Sequence, residues 1–254
     1  MNMNIVFTAA LGVGGATVIG TLFGFLFNKT SALFENVILS FAAGVMLATS
    51  VLNLIIPAVG DGEIILTFIA IFGIFCGALC ISLMDIAVNK LILCAEKNRS
   101  SLFDKKEQLH RVLLFVTAVA IHNLPEGIAA GVGFGTGNTA DALTIAGSIA
   151  LQNFPEGMII IAPMLSVGIK RSKVLFIGIL TGVIEIIGTF FGYCAVSLSS
   201  EILPFALSFA GGTMIYVICG DMIPETQSDY YKQSSTYSLI IGFCLMLVID
   251  CILK

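Results

Sequence analysis

The chain has 254 residues, of which 57% are hydrophobic and 11% are charged, and its formal net charge is −4. Soluble domains average about 25% charged residues, so a chain that is apolar along its whole length is neither a soluble protein nor a soluble domain with one anchor. The net charge says little about partners, and we expect a lipid bilayer but no nucleic acid among them.

Apolar runs divide the chain into candidate membrane spans. A helical span needs about 20 apolar residues, whereas a barrel would show short alternating segments, which this sequence lacks. The first run is too long for the apolar part of a signal peptide, so we expect it to remain as a span. The sequence predicts an all-α polytopic membrane protein with a single transmembrane domain over residues 1–254. The eight predicted spans are roughly 4–27, 34–57, 64–93, 111–134, 141–167, 174–198, 202–224 and 236–253.

Lysine and arginine are concentrated in the connections that follow odd-numbered spans. Six of them contribute to or flank the connection between spans 3 and 4, and Lys170, Arg171 and Lys173 lie between spans 5 and 6. The connections after spans 2, 4 and 6 contain neither residue type. Because positive loops stay in the cytoplasm, this distribution predicts that both termini lie outside the cell membrane.

A short internal repeat joins spans 2 and 7. FAAGVMLA at Phe41–Ala48 resembles FAGGTMIY at Phe209–Tyr216, and a proline follows each copy, at Pro57 and Pro224. The two spans run in opposite directions across the membrane in the predicted topology. The similarity therefore predicts an inverted repeat of spans 1–3 and 6–8, with spans 4 and 5 as a central pair, which is a common transporter architecture.

Two similar hexapeptides interrupt the apolar sequence: HNLPEG at His122–Gly127 in span 4, and QNFPEG at Gln152–Gly157 in span 5. Helix positions i, i+3 and i+4 share a face, so the polar residues of each motif should lie together. The proline kinks each helix, and the glycine lets another backbone approach. Polar groups at membrane depth usually face a cavity on an ion path. The candidate ligands in the motifs are His122, Asn123, Glu126, Gln152, Asn153 and Glu156.

This set of ligands suits a divalent cation of borderline hardness, such as zinc, iron(II), manganese or cobalt. Glu185 interrupts the apolar run of span 6, and we expect its carboxylate to face the same cavity. Three carboxylates in one site of low dielectric repel each other unless a cation compensates. Two adjacent ions bridged by Glu126 and Glu156 would provide that compensation. The simpler alternative is a buried hydrogen-bond network that kinks and packs two helices.

Other polar groups in the predicted spans give weaker signals. Asp221 and Glu225 could line a route by which the ion leaves on the cytoplasmic side, or could cap the end of span 7. Asn53 could be their counterpart at the outer end of span 2, or could serve helix packing. Asp85 and Asp250 are assigned no role. The seven cysteines include no pair with CxxC spacing, so no disulfide framework is predicted.

These residues resemble the ZIP (Zrt/Irt-like) family of divalent metal transporters, and its bacterial GufA-like branch in particular. HNLPEG matches the family's fourth-span HNxPEG signature, QNFPEG matches the fifth-span version of that branch, and Glu185 falls at its sixth-span metal-site glutamate. The resemblance implies eight helices arranged three, two and three, with both termini outside, and a two-metal site. One ion would be held by His122, Glu126, Gln152 and Glu156. The second would be held by Asn123, Glu126, Asn153, Glu156 and Glu185.

The resemblance also implies a function. Family members move a divalent metal into the cytoplasm by an elevator-like slide of the helices that bear the site, and they often form homodimers. Zinc is the expected ion, with iron, manganese, cobalt and cadmium as alternatives, and no cofactor is expected besides the transported ions. The chain departs from many relatives at Gln152, Asn53 and Gly220, where those relatives have histidines, and it lacks their histidine-rich loop.

Two other functions use the same residues. The first is a proton- or sodium-coupled carrier of an organic solute, in which Glu126, Glu156 and Glu185 act as proton relays. The second is an intramembrane hydrolase that uses a metal-bound water. The sequence contains neither HExxH nor GxSxG, so we do not expect an enzyme.

Overall fold

Helices make up most of the chain that the structure describes. The structure is a computed structural model, and it describes residues 3–27, 31–60, 63–97, 123–166, 169–226 and 231–253. The long helical segments are α1 (Met3–Gly24), α2 (Ala32–Val59), α3 (Ile64–Lys97), α4 (residues 123–133), α5 (Thr139–Ile159), α6 (Arg171–Leu198), α7 (Leu203–Thr226) and α8 (Lys232–Leu253). A short helix, Ile161–Ser166, follows α5. None of the described residues lies in a β-strand, which confirms the all-α prediction for them.

Six of the described helices are long and apolar enough to cross a membrane, namely α1, α2, α3, α6, α7 and α8. The exposed face of α3 carries large apolar side chains such as Phe68, Phe72 and Phe75, as a surface against lipid requires. α5 is more polar because it bears the second hexapeptide. Residues 111–122 of the fourth predicted span lie outside the described residues. These helices support a polytopic membrane protein, while the count of eight spans and the orientation of the termini stay predictions.

A tight turn joins the two helices that carry the hexapeptides. Gly137 adopts a left-handed conformation with φ 76°, which glycine reaches without a steric penalty. The Asn138 side chain then caps α5, because its Oδ1 accepts a hydrogen bond of 2.9 Å from the Ala140 N–H. The end of α4 packs directly against α5, where Gly133 lies beside Ile145.

Each copy of the short repeat leads into a wide helical turn. A π-helical turn occupies Ser50–Ile55 in α2 and Ile218–Met222 in α7. Such turns are rare and occur mostly as single bulges inside α-helices, often at functional sites. Both begin nine residues after the first phenylalanine of their repeat, Phe41 or Phe209.

Glycines let helices from the two halves of the chain cross in matching pairs. A Cβ added to any of these glycines would collide with the backbone of the facing helix. The pairs are Gly44 with Leu239, Gly242 with Phe41, Gly212 with Ile74 and Gly77 with Phe209. Gly44 and Gly212 are 168 positions apart, as are Phe41 and Phe209. The contact between α2 and α8 therefore repeats the contact between α7 and α3.

The hexapeptides lie among four helices that pack closely on one another. α1 packs against both α5 and α6, and α4 packs against α6 through Gly127 and Gly131. α2 also packs against α5 and connects this group with α8. The interior of the molecule thus contains the polar residues of α4, α5 and α6.

Candidate metal centre

The two hexapeptides bring buried polar side chains from α4 and α5 into one region. Asn123, Glu126, Gln152 and Asn153 are each at most 1% exposed, and Glu156 is half-buried. Pro155 stands inside α5, where its missing N–H leaves the carbonyl four residues earlier without its helical partner. Both motifs therefore place polar side chains at positions that ordinary packing would fill with apolar ones.

The glycine of each hexapeptide fixes the distance to a third helix. A Cβ at Gly127 would collide with the carbonyl oxygen of Glu185 in α6. A Cβ at Gly157 would collide with the carbonyl oxygen of Thr17 in α1. Backbones can approach this closely only where one partner has no side chain, as at small-residue contacts in membranes. α1 and α6 are thus held against the site.

Glu185 is the centre of a buried hydrogen-bond cluster. Its carboxylate is fully buried, and Asn123 Nδ2 donates to its Oε1. Asn153 Nδ2 donates to Oε2 at 2.7 Å, and the Thr17 hydroxyl donates to Oε1 at 2.7 Å. One asparagine from each hexapeptide therefore binds a different oxygen of the same carboxylate. Glu185 is thus in direct contact with residues of both motifs.

Glu126 lies close enough to Glu156 and Glu185 to be repelled by both, and the Gln152 side chain also lies near its carboxylate. Neither Glu126 oxygen has a hydrogen-bond partner among the described residues, and neither polar atom of Gln152 has one there. A buried carboxylate without compensation is strongly unfavourable. A cation bound at Glu126 would supply the compensation.

The amide oxygens of the two asparagines complete the set of oxygen donors. Both Asn123 and Asn153 direct Nδ2 to Glu185, and their Oδ1 atoms have no hydrogen-bond partner within the described part of the chain. Carboxylate and amide oxygens suit hard and borderline divalent cations. In the described conformation, no three His, Cys, Asp or Glu side chains among the described residues lie close enough to hold one ion, so Glu126, Glu156 and Glu185 could share an ion only if their side chains moved closer together. The donors of the cluster are carboxylates and amides.

The other predicted polar residues do not take part in the hydrogen bonds described above or lie outside the described residues. His122 lies outside the described residues, so its part in the site stays a prediction. Asn53 is 3% exposed in the wide turn of α2, and its Nδ2 has no hydrogen-bond partner among the residues that the structure describes. Asp221 and Glu225 are exposed at the end of α7.

Thr17 is a cluster member that the sequence analysis missed. It lies in an apolar run of α1 with no motif around it. Its spacing in the chain was the one available signal: Thr17 precedes Glu185 by 168 positions, the same separation as between Phe41 and Phe209. Thr17 and Glu185 would therefore occupy equivalent positions if the repeat predicted from the sequence extended to α1 and α6.

Comparison of the sequence with known proteins finds similarity to zinc transporters. Residues 94–250 match the sequence model of a family described as ZIP Zinc transporter. The chain is 31% identical over 242 residues to the zinc transporter ZIPB of Bordetella bronchiseptica, across 92% of this chain and 77% of that protein. It is 32% identical over 260 residues to the zinc transporter ZupT of Chlorobaculum parvum, across 97% of this chain and 96% of that protein.

A third relative matches more strongly over a shorter region. The chain is 41% identical over 138 residues to the zinc transporter GufA of Myxococcus xanthus. The match covers 54% of each protein, so it spans about half the length of that relative.

Proposed function

Because the chain belongs to the ZIP family of zinc transporters, we propose that it carries divalent metal ions, zinc first among them, across a cell membrane into the cytoplasm. The family is one of transporters, so the prediction that this chain is not an enzyme is confirmed. The predicted membership of the ZIP family is confirmed as well. Uptake of iron, manganese, cobalt or cadmium through the same site is part of the proposal.

The buried carboxylate of Glu126 is the observation that supports this function best. Two further carboxylates are near enough to repel it, and its oxygens have no hydrogen-bond partner among the described residues. Charged groups at membrane depth are costly and usually mark an ion or proton path. A dication at this point would offset the repulsion between the three carboxylates.

We propose a two-metal site in which Glu126 and Glu156 bridge the ions. His122 and Gln152 would complete the coordination of the first ion. Asn123, Asn153 and Glu185 would complete that of the second. The mixed carboxylate and amide donors bind less tightly than the four Cys or His ligands typical of structural zinc, which suits a site that must release its ion.

Transport would proceed by alternating access, with the group α1, α4, α5 and α6 moving relative to the other helices. We propose eight membrane spans in a three, two and three arrangement related by an inverted repeat, with both termini outside and two chains forming a homodimer. The matching glycine crossings and the two wide turns support the repeat. Bound metal would change the relative populations of the outward-facing and inward-facing states.

Uptake of radioactive zinc by proteoliposomes tests the proposal. Purified chain reconstituted without any organic solute should take up zinc, and unlabelled divalent ions should compete according to the preference of the site. Zinc uptake no faster than in empty liposomes would contradict the proposed function. Uptake that requires an organic solute would favour the coupled carrier instead.

Replacing His122 with alanine is expected to change which metal is preferred. Imidazole favours zinc, whereas the remaining carboxylate and amide oxygens favour harder ions such as manganese. Competition by zinc and by manganese, measured in the same proteoliposomes, should therefore shift toward manganese. An unchanged order of preference would show that His122 packs beside the site without binding the ion.

Replacing Glu185 with glutamine is expected to impair the second ion more than the first. A glutamine side chain offers one oxygen where Asn123, Asn153 and Thr17 now donate to two, so at least one of these donors would face an NH₂ group. Anomalous scattering from metal-soaked crystals would measure the occupancy of each ion. Glu201→Gln, at an exposed position, is the matched control. Equal loss at both ions would contradict the assignment.

A further inference from the structure

Thr17 differs from other threonines within the helices in the acceptor of its hydroxyl hydrogen bond. Threonine hydroxyls inside helices usually donate to the carbonyl three or four residues earlier. Thr21, Thr49 and Thr189 all do so at 2.9 Å. The Thr17 hydroxyl instead donates across the interior of the molecule to Oε1 of Glu185 at 2.7 Å.

The hydrogen bonds divide the two oxygens of Glu185 into different roles. Oε1 accepts from Thr17 and from Asn123, which fills the two lone-pair directions that a carboxylate oxygen offers. Among the described residues, Oε2 accepts only from Asn153. Oε2 therefore keeps a lone pair that a cation can use.

The backbone around both side chains is held by close helix contacts. Gly157 brings α5 against the carbonyl of Thr17, and Gly127 brings α4 against the carbonyl of Glu185. Gly14 and Gly182, one turn before Thr17 and Glu185, also face each other across the contact between α1 and α6. The hydroxyl and the carboxylate thus extend from fixed points, so their hydrogen bond sets the direction of the carboxylate.

We propose that Thr17 is a positioning residue that anchors Oε1 of Glu185, so that Oε2 is presented to the second metal ion. The inference rests on the proposed function and adds α1 to the helices that build the site. Outer partners of metal ligands orient the ligand, and losing one typically costs about 10-fold to 100-fold in metal affinity. Thr17 does not contact the ion itself in this arrangement.

Calorimetric titration of the full, metal-stripped chain with zinc tests the inference. In Thr17→Val, which keeps the shape but removes the donor, we expect the second binding event to weaken by about 10-fold to 100-fold while the first is retained. Thr17→Ser keeps the donor and should bind nearly as the original chain does. Retention of the first event also shows that the variant is folded.

Thr21→Val is the matched control. Thr21 lies one turn further along α1, is equally buried, and donates only to the Thr17 carbonyl among the described residues. Its loss should leave both zinc-binding events unchanged. If Thr17→Val and Thr21→Val titrate alike, the inference is overturned.

A double variant separates action through Glu185 from a general effect on packing. Adding Thr17→Val to Glu185→Ala should cause no further weakening, because the hydrogen bond is already absent. If Thr17→Val weakened zinc binding in the Glu185→Ala background as much as it does in the original chain, the inference would be overturned. If the original chain binds no zinc at all, the proposed function fails first. Two normal binding events with no effect of Thr17→Val would remove the inference alone.

Discussion

Replacing Glu126 with alanine is expected to reduce zinc uptake to the level of empty liposomes. Glu126 lies near both other carboxylates of the cluster, and the proposed ions share it as a bridge, so its loss removes a ligand from each. Binding should suffer together with transport. Zinc uptake into proteoliposomes and calorimetric titration of the same preparation would measure the two effects.

Two further substitutions serve as controls for this experiment. Glu126→Gln keeps the volume of the side chain and removes its charge, so loss of uptake in this variant would trace the effect to the charge. Glu201→Ala removes an exposed carboxylate that precedes α7 and should transport normally. Near-normal uptake by Glu126→Ala would contradict a site that two ions share.

Replacing Gly157 with alanine is expected to separate α1 from α5 and to abolish most transport. Its Cβ would collide with the carbonyl oxygen of Thr17, and backbone cannot yield as a flexible side chain can. Overpacking of this kind costs about 1–3 kcal/mol in soluble cores. The midpoint of thermal unfolding in detergent and the rate of zinc uptake should both fall.

Gly147→Ala provides a control on the same helix. No atom lies within 4 Å of a Cβ added there, and its position on α5 is exposed. Alanine favours a helix over glycine by about 1 kcal/mol, so this variant should be as stable as the original chain or slightly more so. Equal behaviour of Gly147→Ala and Gly157→Ala would show that the close contact with α1 does not matter.

The sequence could predict that the fold is helical and that the polar residues within each hexapeptide lie close together, because both features follow from local spacing. Apolar runs of membrane length leave the backbone little choice but a helix, since lipid offers no hydrogen bonds. Within each hexapeptide, helical spacing places the asparagine and the glutamate on adjacent positions of one face. The cost of a buried carboxylate then explains why Glu185 should join them.

Other features depend on contacts between distant segments and could not be predicted from local pattern. A single threonine in an apolar run usually bonds to its own helix, so nothing around Thr17 indicated a role in the site. The wide turns of α2 and α7 likewise have no compositional signature. The sequence showed the repeat only at Phe41–Ala48 and Phe209–Tyr216, and the paired glycine contacts, which join helices distant in the chain, add support for it.

The wide turns of α2 and α7 affect the alignment of this sequence with the sequences of related proteins. Each behaves as one extra residue in an α-helix, and one residue corresponds to a rotation of roughly 100° about the helix axis. Side chains beyond Ser50–Ile55, including Pro57, thus point where uninterrupted winding would direct an adjacent position. Aligned with a protein that winds normally there, the sequences need a one-residue gap. If that gap is left out, a mutation studied in the other protein would be assigned, for residues that follow the turn, to a neighbouring position on a different face of the helix.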